Sequence, residues 1–87
     1  MPTVNRKPPR DAKGTVIQSY LFAARWSVAR ARDWLTKHEA FSDGIDEQTS
    51  GVIRARQYDP QWFDDKTFRI IDVDKDAGVK AVVGKPL

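Results

Sequence analysis

The sequence predicts an α+β domain in which one amphipathic helix packs across a mainly antiparallel sheet of about four strands, in the order β-α-β-β-β. Three observations lead there. Only Val28 to His38 repeats apolar residues at helical spacing. The other apolar runs are short, rich in β-branched and aromatic residues, and separated by turn formers. Finally, 87 residues hold one hydrophobic core and no more. The expected organisation is a flexible, basic, proline-rich arm over residues 1–14 and a single domain over residues 15–87.

The arm carries Pro2, Pro8 and Pro9 and too few apolar residues to repay the entropy of ordering. Thr15 to Phe22 (TVIQSYLF) contains no breaker and reads as a strand. Ser27 is placed to cap a helix, with Trp26 stapling onto its first turn and Arg30 standing where a capping box would want Glu or Gln. Val28, Ala31, Leu35 and His38 share one face of that helix, with Trp34 at its edge. Phe41 to Ser50 (FSDGIDEQTS) reads as an acidic loop punctuated by Gly44.

Val52 to Tyr58 (VIRARQY) alternates with a period of two and forms a half-buried strand that Asp59-Pro60 ends. Gln61 to Lys66 is expected to make one helical turn that drops Trp62 or Phe63 onto the core. Phe68 to Val73 and Val79 to Val83 are two further strands, joined by a hairpin loop from Asp74 to Gly78. The expected core is Val16 or Ile17 with Phe22, Val28, Ala31, Trp34, Leu35, Ile53, Phe68, Ile70, Ala81 and Val83.

Composition narrows the function. Without cysteine there is neither a disulfide framework nor a thiolate metal site, which fits an intracellular setting. No apolar run is long enough to span a bilayer, and the first residues lack the apolar segment of a secretory signal. The net charge is +3, and Arg6, Lys7, Arg10 and Lys13 against Asp11 account for all of it. The remaining eleven basic and eleven acidic residues balance, so the body is no polyanionic mimic of DNA.

Catalytic patterns are scarce. His38 is the single histidine, and it reads as a structural residue near helix carbonyls. No nucleophile elbow or glycine-rich phosphate loop occurs. Asp72, Asp74 and Asp76 mimic the start of a calcium loop, but Ala77 stands where its glycine belongs and Val83 where its closing glutamate belongs. They read as a solvated hairpin tip, so neither a metal nor another cofactor is expected. A hydrolase remains only as a third class, through carboxylates such as Asp59 and Asp72.

The sheet face left uncovered by the helix carries more content. Alternation puts Ile53 and Ala55 on one side of their strand and Arg54, Arg56 and Tyr58 on the other. Inward Phe68 and Ile70 set Arg69 outward, and inward Val79, Ala81 and Val83 set Lys80 outward. Such a face can hold phosphates by charge and stack an unpaired base on the tyrosine. Arg6, Lys7 and Arg10 in the arm add backbone contacts. Two other readings of this face remain: a solvated surface of arginine stems and local ion pairs, or a protein-binding surface, for which arginine and aromatic residues are preferred anchors.

Trp26 to His38 (WSVARARDWLTKH), Arg54 to Pro60 (RARQYDP), Phe68 to Val73 (FRIIDV) and Gly78 to Gly84 (GVKAVVG) together resemble a small domain of tailed-bacteriophage and prophage proteins. That domain occurs beside or within head-maturation protease and other structural reading frames. The similarity covers about residues 15–84 and no catalytic residue carries over. It implies an origin in a phage or mobile element, hence a place in the cytoplasm of a bacterial host or in a virion. The expected function is non-enzymatic binding of nucleic acid or a nucleoprotein complex. Its alternative is a protein-interaction factor, either a virion accessory or an inhibitor of a host anti-phage machine.

Overall fold

A computed structural model describes residues 4–9 and 14–87. The chain forms β1 (Val16–Phe22), α1 (Val28–Lys37), β2 (Ile45–Glu47), β3 (Ile53–Arg56), a 3-10 turn (Pro60–Trp62), β4 (Phe63–Asp74) and β5 (Val79–Pro86). One sheet of five strands results, ordered β2-β3-β1-β5-β4 and antiparallel throughout. The α+β architecture with a single helix is as the sequence predicts. The strand count is not, because β2 lies within the stretch expected to be an acidic loop.

That short strand has a physical cause. Ile45 is the one large aliphatic residue of its loop, and pairing opposite Ala55 buries it to 9% exposure against the core. Gly44 permits the approach: a Cβ there would lie 2.6 Å from both the Arg56 carbonyl oxygen and Val4 Cγ2.

The helix begins as expected, with the Ser27 hydroxyl accepting the Arg30 N–H. Ala31 and Leu35 are fully buried against Phe22, Ile53, Ala55 and Val79. Trp26 packs on Phe22 with ring centroids 5.1 Å apart, and its indole N–H donates to the Ala77 carbonyl at 2.7 Å. The tip of the β4–β5 hairpin is thereby tied to the start of the helix. Within that tip Gly78 takes a φ of 77°, and the Asp74 carboxylate accepts the Ala77 N–H. His38 caps the C-terminus, exposed, and its ring stacks on Trp34 at 3.8 Å.

Two expectations about the core are corrected. Ile70 is 60% exposed, and Phe68 is only half-buried. The helix lies over β1, β2 and β3, whereas β4 is the outermost strand on the far side. Phe63, at the start of β4, is the aromatic residue that is buried there.

The segment expected as an arm touches the body over its described residues. Val4 is 5% exposed and Pro8 is buried. The Arg6 carbonyl accepts the Asp59 N–H, and its guanidinium lies 3.5 Å over the Phe41 ring while pairing with Asp43 at 2.9 Å. Lys7 Nζ sits 4.2 Å over the Trp62 ring. Among the described residues, no helix is long and apolar enough to cross a membrane.

Candidate nucleic-acid interface

The register of the sheet defines the face opposite the helix. Antiparallel partners point to the same side, so the row Asp46, Arg54, Leu21, Lys80 and Asp72 runs across all five strands on the open face. The adjacent row is Arg56, Ser19, Val82 and Ile70. Arg54, Arg56 and Lys80 therefore share a face, in the arrangement that alternation predicts.

Two expected members of the site are placed elsewhere. Arg69 pairs with Val83, on the parity of Ala81 and the helix side, while Phe68 and Ile70 take the open side. Arg69 borders the open-face groove but does not stand in the row of Arg54. Tyr58 is displaced by irregular pairing: the N–H groups of Gln57 and Tyr58 both donate to the Gln18 carbonyl, at 2.7 and 3.2 Å. One extra residue in β1, at Gln18, is also unmatched by β5. Tyr58 consequently packs edge-on against Phe41 at 6.0 Å, in a recess shared with Tyr20 and His38, away from the arginines.

An aromatic ring reaches the open face from β4 instead, that of Phe68. It lies over Gly84, where a Cβ would come within 2.8 Å of its ring, and beside Phe63 at 5.6 Å. Together with Ile70, Val82, Pro60, Gln18 and Arg54 it lines a groove of about 340 Å³. A second depression, between Leu21, Val52, Ile70 and Lys80, continues the same face. The open face is thus an apolar strip with cations along it, and Phe68, Ile70 and Gln18 are contributors that sequence reasoning did not assign to the site. The doubled apolar pair Ile70-Ile71 was the available signal, since one of the two must leave the core.

The charges on this face are not neutralised by contact. Among the described residues, neither Arg54, Arg56, Arg69 nor Lys80 lies within 4.0 Å of a carboxylate oxygen. Asp46 stands opposite Arg54 in register, yet its carboxylate accepts a hydrogen bond from Gln48 at 3.1 Å. Three buried polar atoms in this neighbourhood lack a hydrogen-bond partner among the described residues: Arg54 Nε, Arg56 Nε and Ser19 Oγ. Ser19 is fully buried and directly opposite Arg56. Unsatisfied buried polar groups cost about 1–3 kcal/mol each, a penalty that this side of the sheet carries.

The arm residues behave differently. Arg6 is engaged with Asp43 and Phe41, and Lys7 with Trp62, so neither extends freely from the domain. Arg10 lies outside the described residues. No three His, Asp or Glu side chains converge as a metal-binding group among the described residues. The chain matches no protein family, no curated protein and no solved structure.

Proposed function

We propose that this protein is a non-enzymatic binding module that engages nucleic acid, alone or within a nucleoprotein complex, through the open face of its sheet. The observation that carries the reading is the pair Arg54 and Arg56, free of carboxylate partners among the described residues and next to a groove floored by Phe68. Guanidinium groups hold phosphates, and an accessible aromatic ring on a sheet stacks an unpaired base, so single strands are the favoured ligand. Lys80, on the same face, adds a third cation.

A protein partner is the second reading. It draws on the apolar strip of Leu21, Ile70 and Val82 and on the carboxylates of Asp46 and Asp72 at the ends of the cationic row. The motif resemblance is the support for an origin in a phage or mobile element, and a place in a bacterial host or a virion is part of that same proposal.

Fluorescence anisotropy of labelled single- and double-stranded oligonucleotides at two salt concentrations separates these readings. Nucleic-acid binding predicts salt-sensitive association with single strands. Replacing Arg54 and Arg56 by alanine should then lower the slope of log K against log salt by about 0.7 per lost phosphate contact. Absence of binding at low salt contradicts the reading and turns the search to protein partners.

A further inference from the structure

Two strands lie at the edges of the sheet, and they differ sharply. β2 has three residues, a length that limits pairing with another chain. β4 has twelve, contains no proline, and among the described residues pairs only with β5. Its centre is apolar on both faces: Ile70 is 60% exposed, Ile71 42% and Val73 41%. Pairing irregularities at Asp64/Arg69 and Asp72/Asp74 interrupt the strand on either side. Between them, Arg69 to Asp72 keeps regular antiparallel geometry, so the exposed aliphatic residues coincide with the part of the edge best able to accept another strand.

We infer that β4 pairs antiparallel with β4 of a second copy of this chain, with Ile70 facing Ile70 across a two-fold axis normal to the sheet. Such an axis keeps each face of the two sheets continuous, and it requires one residue to meet its own counterpart. Centring on Ile70 sets Arg69 opposite Ile71 and Phe68 opposite Asp72. Centring on Arg69 would oppose two guanidinium groups, which cross-strand pairing disfavours. Centring on Ile71 would oppose Ile70 to Asp72 and Phe68 to Asp74, leaving both apolar residues against carboxylates. Among registers that do not oppose like charges, only the one centred on Ile70 places the most exposed aliphatic residue of the edge against an apolar partner.

The arrangement joins Val82 and Ile70 of both copies into one apolar row and sets the two open faces side by side. It requires no ligand, so its test is independent of nucleic-acid binding. Light scattering coupled to size exclusion should give twice the monomer mass at high micromolar concentration. Ile70→Lys, at a position already exposed, should raise the dissociation constant at least tenfold while the circular-dichroism spectrum stays unchanged. Because the chain has no cysteine, Ile70→Cys introduces a single thiol. Directly opposed residues lie about 4.5–5.5 Å apart, within disulfide reach, so this variant should cross-link under mild oxidation. Ile71→Cys should not, its counterpart being displaced by two residues, about 7 Å along the strand. A monomer across the concentration range, a dimer that persists in Ile70→Lys, or preferential cross-linking through Ile71→Cys would each overturn the inference.

Discussion

Gly44 is glycine for want of space. The atoms nearest a Cβ at this position are the Arg56 carbonyl oxygen and Val4 Cγ2, both at 2.6 Å. A backbone carbonyl held in the β2–β3 region cannot withdraw as a flexible side chain can. Gly44→Ala should therefore cost about 1–3 kcal/mol, read as a lower urea midpoint, through displacement of both β2 and Val4. Tyr20 supplies a pH-dependent counterpart. Burial raises its phenol above the usual value of 10.0, and the nearby Tyr58 phenolate adds to the effect. A raised folded-state value means that the fold favours the neutral phenol. That contribution is complete below pH about 10 and is lost as pH climbs through the raised value. Tyr20→Phe should reduce alkaline destabilisation, read by unfolding measured at neutral and alkaline pH.

The elements show which parts of the fold could be read from sequence. The helix was legible because its cap and buried stripe coincide, and β1 and β3 because one side of each faces the core. β4 was misread for a physical reason. It lies beyond the helix, so burial imposes no clean parity, and Phe68, Ile70, Ile71 and Val73 offer apolar residues to both sides. The inversion of Phe68, Arg69 and Ile70 follows directly. β2 was hidden because one buried isoleucine among polar neighbours produces no alternation. Tyr58 was lost to irregular pairing around Gln18, a tertiary feature that a period of two cannot anticipate. The N-terminal segment was read from its prolines and charge, yet Val4 finds a buried site beside Gly44. Removing residues 1–9 should consequently lower stability, with loss of the Val4 contacts alone worth about 1.5–3 kcal/mol at full burial. Thermal unfolding followed by circular dichroism checks this, and an unchanged midpoint would show that the segment contributes nothing to the fold.

At the scale of the molecule, the helix covers one face of the sheet and leaves the other without a helix. The site was partly legible: Arg54, Arg56 and Lys80 share the open face because each lies on a strand whose other parity is buried. Its aromatic and apolar floor was not, since it depends on β4, where parity fails. β4 brings Phe68 into the groove and the irregular pairing at Gln18 takes Tyr58 out of it, so the proposal rests on a different ring from the one the sequence suggests. Charge reinforces the picture, because the body carries balanced charges overall while its open face holds cations without ion-pair contacts among the described residues. The most direct test is a map of backbone amide shifts in labelled protein titrated with a short single-stranded oligonucleotide. The account predicts changes concentrated at Leu21, Arg54, Arg56, Phe68, Ile70 and Val82, with His38 and Tyr58 silent. Changes clustered on the helix and the Tyr58 recess, or none at low salt, would contradict it.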